Sequence, residues 1–369
     1  VAVDLNLKVA RLIADFRSTL ALIDFIQHEL EKRIVARLGL IKIEALISLA
    51  GTYKNEVKRS LGPSGAAAVQ ALEVLLAQLR KDVDGGVRSV RNALVGHSLA
   101  LNLREIPENW LFLGHSTFTI LSQDLDRIDD EFAKLDPAYV KATQPSPLDP
   151  ALLTFWSAPN VLGPVGAARV VTMPTGLWTP DVVAPVPGGT KLQDASIRVL
   201  GLRLSIRQAG LLFLPFWAIG GTVSTYERLL LELTVVDFFA LEEAIYTGNV
   251  RGGTSSLVDE WASESPMHAG VAILSSMRAH ASPSLSLWRD QVRNKICAHL
   301  DPDIPAADLE VDKWPMVVSD FNAEIERLCQ LLGTAARQDV RTMIFVAPAT
   351  PIKNGVVPPR VGAPTWNQT

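Results

Sequence analysis

The sequence is poor in cysteine, in long apolar runs and in excess charge of either sign. Its two cysteines, Cys297 and Cys329, are too few for a disulfide framework or a cysteine-based zinc site, which fits a reducing compartment. The most apolar run, Ala209 to Ile219, is interrupted by Pro215 and is about half of the roughly 20 residues that a bilayer span requires. No membrane partner is therefore expected. A formal net charge of −4 supplies no global basic field, so any contact with nucleic acid has to come from a local patch. The stretch with Asp4, Lys8 and Arg11 has no apolar segment followed by a small-residue cleavage site, and the sequence reads as soluble and cytoplasmic.

What is present is material for a helical interior. The 369 residues are 48% hydrophobic, with 8 Trp and 12 Phe, which argues against wholesale disorder and exceeds the usual span of one hydrophobic core. The expected fold is mainly α, as two helical bundles in one chain. Apolar residues at helical spacing predict one long helix over Asp4 to Arg37, ended by Gly39, and a second over Lys42 to Leu61 that stops at Gly62-Pro63-Ser64-Gly65. Further helices are expected over Ala66–Lys81, up to Leu135, over Tyr226–Tyr246, Ser256–Ser263, His268–Ala281 and Leu285–His299, and after Trp314. Residues 1–135 form the first unit and 220–335 the second. Between them, 136–219 is rich in Pro and Gly and reads as a linker or insertion, with strands at Arg169–Met173 and Leu200–Ile206. Residues 336–369 read as an extended tail.

One stretch organises the chain. Val90-Arg91-Asn92-Ala93-Leu94-Val95-Gly96-His97 returns as Val292-Arg293-Asn294-Lys295-Ile296-Cys297-Ala298-His299. One Arg-Asn-x4-His match would arise by chance in roughly one such chain in a hundred, and two about a hundredfold less often. An Ile-Pro pair, a Trp (Trp110, Trp314) and an amphipathic segment follow each copy, so the duplication extends beyond the motif. On an ideal helix residues six apart differ by about 240° and share no face, so the winding has to loosen before the His. Guanidinium, carboxamide and imidazole together suit a phosphodiester: Arg holds the phosphate oxygens, and His moves protons near neutral pH without a metal. Cleavage through the RNA 2′-hydroxyl needs one base and one acid, which two copies facing each other would supply.

On these residues the chain resembles the HEPN family, helical bundles marked by Arg, a polar residue and a His a few positions on. The resemblance covers about residues 1–135 and 220–335. It implies a metal-independent endoribonuclease, of the kind found among toxins and phage-defence effectors, with RNA as partner, an antitoxin or other regulatory protein as a second partner, and no cofactor. Arg91, Asn92, His97, Arg293, Asn294 and His299 would be catalytic: the histidines as base and acid, the arginines on the scissile phosphate, the asparagines orienting it or their own His. Many relatives are non-catalytic, and the rival reading is a module that binds a nucleotide, RNA or protein in the paired cleft. Oligomeric state is left open by the sequence.

Lys54, Lys58, Arg59 and Arg88 are candidates for an RNA-backbone patch, although solvated helix faces account for them equally well. The acidic run Asp124 to Glu131 reads as a solvated face. His115, His268 and His280 lack a ligand partner at helical spacing and read as ordinary histidines. Cys297, Trp110 and Trp314 read as packing residues.

Overall fold

The computed structural model describes residues 4–26, 29–83, 115–150, 224–248, 255–264, 267–279, 283–297, 303–309 and 318–336. It also describes residues 152, 300, 301, 311 and 314 and scattered positions within 191–212. Among them the chain is helical, and no residue lies in a strand.

Leu5, Val9, Leu12, Ile13 and Phe16 recur at the helical period and form the buried side of α1 (Leu5–Phe25), which packs along α2 (Glu29–Ser60). The chain turns at Ile26, whose ψ of 136° ends α1. This corrects the single helix expected to run to Gly39. No Gly or Pro marks the turn in the sequence. Doubling back lets the apolar faces of α1 and α2 cover each other, whereas an unbroken helix would leave its stripe without that partner. Gly39 lies inside α2, where an added Cβ would stand 2.7 Å from Phe118 Cε1 and 3.3 Å from Thr19 Cγ2. Its role is close approach between helices.

A 3-10 turn at Gly62–Ser64, with Gly62 at φ 63°, leads toward α3 (Gln70–Asp82). Helix α4 (His115–Leu135) packs on α1 and α3. The acidic run on α4 is only partly solvated, contrary to expectation. Asp124 and Asp129 are buried. Arg17 of α1 donates to Asp126 at 2.6 Å and to Asp129 at 3.1 Å, and Tyr139 Oη donates to Asp129 at 2.7 Å. The cation drawn into this run is a guanidinium from the neighbouring helix, which offsets the cost of burying the carboxylates.

In the segment expected to hold strands, residues 202, 205 and 206 are helical, as are the other described positions between 191 and 212. Arg169–Met173 lies outside the described residues. Leu192, Ala195, Val199, Leu202, Ile206 and Ala209 are buried, a spacing of three and four that marks one face of a helix. The local alternation around Leu202 belongs to this longer period.

Helix α5 (Thr225–Tyr246) starts at a capping box: Ser224 Oγ accepts from the Glu227 N–H at 3.2 Å, and the Ser224 N–H donates to Glu227 Oε2 at 2.6 Å. It is buried along nearly its whole length and contacts α1 and α2. Helices α6 (Leu257–Glu264), α7 (Ala269–Ala279), α8 (Pro283–Leu287) and α9 (Val318–Ala336) complete the second half. One large buried apolar cluster runs from Leu5 to Ala335 and joins the two halves, and a second, smaller one holds Ile34, Leu38, Ala209, Leu229 and Leu233. Charged groups cross the same boundary: Arg37 pairs with Asp237 at 2.7 Å, Lys42 with Glu232, and Arg228 with Asp15. No helix among the described residues is long and apolar enough to cross a membrane.

Candidate functional site

The second motif falls on a helix that changes winding. After α8 the backbone continues as a π-helix over Trp288–Cys297, a rare geometry that concentrates at functional sites. Trp288, Val292 and Ile296 form its buried row. Trp288 anchors it by stacking on Phe321 at 4.2 Å between ring centroids and meeting Trp314 edge-on at 5.4 Å. Beyond it, the Asp301 N–H donates to the Lys295 carbonyl at 2.7 Å, a closure one residue wider than a Schellman turn. Leu300 takes φ 44°, and Lys8 of α1 holds the Asp301 carbonyl at 3.3 Å. The described part of the motif, Val292 to Cys297, lies within this wider winding.

Of the six residues expected to be catalytic, Arg293 and Asn294 are among the described residues. Arg91, Asn92, His97 and His299 lie outside the described residues. Arg293 Nη1 donates to Asn294 Oδ1 at 2.7 Å, so the asparagine positions the guanidinium. Arg293 lines a pocket of about 180 Å³ with Phe239, Glu242, Glu243, Tyr246 and Thr247 of α5 and its end, Arg278 of α7 and Arg289. That volume is below the ~300–1,000 Å³ of pockets for drug-sized ligands and suits one small polar group.

The charges are arranged unevenly. Arg289 pairs with Glu242 and lies over the Phe239 ring at 5.4 Å. Arg278 lies over the Tyr246 ring at 5.3 Å and makes no ion pair among the described residues. Arg293 Nε is buried without a hydrogen-bond partner among the described residues. Burial lowers the affinity of Arg293 for its proton and Glu243 opposes that effect, yet a guanidinium keeps its charge. Tyr246 donates to the Leu274 carbonyl at 3.1 Å. Burial first, and Glu242 second, push its hydroxyl up to about 12, so it remains a neutral donor.

Sequence reasoning found Arg293 and Asn294 and missed Arg289, Arg278, Glu242, Glu243 and Tyr246. Arg289 stands four residues before Arg293 as a helical neighbour, but it is not part of the repeat, because Val87 occupies the matching place in the first copy. The other four become neighbours only through tertiary packing.

The suspected backbone patch is partly neutralised. Lys54 and Lys58 reach the same Glu73 carboxylate at 3.2 and 3.6 Å, and hydrogen bonding from Lys54 holds Glu73 below its ordinary range. Arg59 is exposed, and Arg88 lies outside the described residues. His268 stacks on Trp261 at 4.8 Å, and its Nδ1 accepts the Gly270 N–H at 3.0 Å, an ordinary core histidine. Cys297 and Trp314 are buried in the apolar cluster, as packing residues should be; Trp110, His280 and the Cys329 side chain are not described. Among the described residues no three His, Cys, Asp or Glu side chains are grouped to hold a metal. Comparison with protein-family models, with curated proteins and with solved structures finds no match to this chain.

Proposed function

We propose that the chain is a metal-independent endoribonuclease whose composite site is formed by Arg91, Asn92 and His97 with Arg293, Asn294 and His299. The duplicated motif is the observation that carries this reading. It is supported by the place of Arg293, a guanidinium held by Asn294 that lines a small pocket with two further arginines. One histidine takes the proton of the RNA 2′-hydroxyl, the 2′-oxygen attacks phosphorus, and the other histidine protonates the departing 5′-oxygen. The arginines bind the phosphate oxygens and stabilise the charge that builds on them. The products are a 2′,3′-cyclic phosphate and a 5′-hydroxyl.

Incubation of the purified chain with a mixed cellular RNA pool in excess EDTA, beside His97→Ala and His299→Ala, tests the reading. Cyclic-phosphate ends that vanish in both variants are the expected result. Loss in only one marks the other copy as degenerate. Equal cleavage by all three proteins, or none across several RNA classes, overturns the nuclease and leaves a binding module in its place.

A further inference from the structure

The pocket around Arg293 gathers charges of both signs with a positive excess. Three guanidiniums, Arg278, Arg289 and Arg293, face two carboxylates, Glu242 and Glu243, which leaves one net positive charge. One negative charge is that of a phosphodiester, whereas a terminal phosphate monoester carries about −1.5 to −2 at pH 7. The donors are placed unequally too. Arg289 is already paired with Glu242, while Arg278, which lines the same pocket, has no ion pair among the described residues. The aromatic rings at the pocket, Phe239 and Tyr246, each have an arginine over one face.

We propose that this pocket is a phosphodiester subsite for single-stranded RNA, in which Arg278 joins Arg293 in holding one internal phosphate. Glu242 and Glu243 set its preference for a singly charged group over a terminal monoester. The proposal deepens the nuclease reading and rests on it for the identity of the chain that is bound. It makes Arg278, a residue outside either motif, a substrate-binding residue, and it makes recognition here a matter of backbone charge.

The test uses a dye-labelled 2′-O-methyl RNA octamer, which has no free 2′-hydroxyl to attack, and reads binding by fluorescence anisotropy over a range of salt. Arg278→Ala is expected to weaken binding about tenfold and to make the salt slope shallower by about 0.7, the value for one phosphate contact on a single strand. Arg278 is exposed on α7, so the substitution leaves the core untouched. Glu243→Gln is expected to make inorganic phosphate a better competitor against the octamer by several-fold. Wild-type affinity and slope in Arg278→Ala overturn the subsite, as does a wild type that does not bind the octamer. Unchanged competition by phosphate in Glu243→Gln overturns the charge selection. Binding that follows these expectations in a protein that leaves unmodified RNA intact keeps the subsite and sinks the nuclease.

Discussion

Asp15 of α1 and Arg228 of α5, 213 positions apart in sequence, form a buried two-pronged ion pair, with Arg228 Nη1 3.1 Å from Asp15 Oδ2 and Nη2 on Oδ1. Arg228 also donates to Glu232 at 2.6 Å, and Lys42 of α2 joins both carboxylates, 3.6 Å from Asp15. Two acids and two bases balance inside the core, at the contact of three helices. Removing one partner leaves an uncompensated charge, which costs about 3–5 kcal/mol, a large share of the ~5–15 kcal/mol that holds a typical domain. Asp15→Ala is therefore expected to lower the urea midpoint sharply. Removing both Asp15 and Arg228 together should cost less than the sum of the single losses, as a double-mutant cycle would read.

The same cluster predicts acid sensitivity. Burial disfavours the Asp15 carboxylate, but Arg228 and Lys42 outweigh it and hold the group down to about 2. A depressed carboxylate contributes stability above its unfolded value of ~3.9 and loses it as pH falls through the folded value. That contribution is about 2 kcal/mol at neutral pH and fades between about pH 5 and 2. Urea midpoints of the wild type and Asp15→Asn should converge across that window. Parallel falls in the two proteins would exclude Asp15 as the source.

Gly39→Ala sets two effects against each other. An alanine inside a helix gains up to about 1 kcal/mol over glycine. Here its methyl would lie 2.7 Å from the ring of Phe118, which is itself buried and stacked on Phe16 at 5.6 Å. Overpacking of such a contact costs about 1–3 kcal/mol, so net destabilisation is expected. A thermal melt that rises instead would mean that α4 yields easily against α2.

The helices were readable where periodicity and end signals agree. The helix expected over Tyr226–Tyr246, found as Thr225–Tyr246 with Gly248 at φ 59° after it, is the clearest case, and its capping box at Ser224 and Glu227 fixes the start. The turn at Ile26 was not readable, because nothing local breaks the pattern and packing alone decides it. Leu200–Ile206 reads as a strand in the sequence because four alternating apolar positions fit a strand as well as part of a helical stripe. At the site, Arg293 and Asn294 were legible through repetition. Arg278 and Glu243 were not, since only the tertiary fold brings α7 and the end of α5 to the motif.

Cys297 lies inside the second motif, and burial pushes its thiol well above the ordinary range, with Glu232 adding to the effect. Thiolate is the reactive form, so iodoacetamide at pH 8 should leave Cys297 unmodified in the folded protein and label it fully in guanidinium, as peptide mass mapping would show. Rapid labelling under native conditions would instead report local opening of the π-helix and would place the motif among the least stable parts of the fold.

Asn294 offers the sharpest separation of positioning from charge. Its carbonyl oxygen accepts from Arg293 Nη1 at 2.7 Å, and that contact fixes a guanidinium whose charge, in the proposed nuclease, would oppose the charge that builds on the reacting phosphate. If the nuclease reading holds, Arg293→Ala should lower kcat by ~10²–10³-fold. Arg293→Lys should restore only part of that loss, because a lysine keeps the charge without the fork. Asn294→Ala leaves the charge and removes the aim, so a smaller fall of about tenfold in kcat with little change in KM is expected. Asn294→Asp keeps an acceptor for Arg293 yet places a negative charge beside the phosphate, and it should be worse than alanine despite preserving the hydrogen bond. An aspartate variant more active than the alanine one would mean that aim outweighs charge at this position.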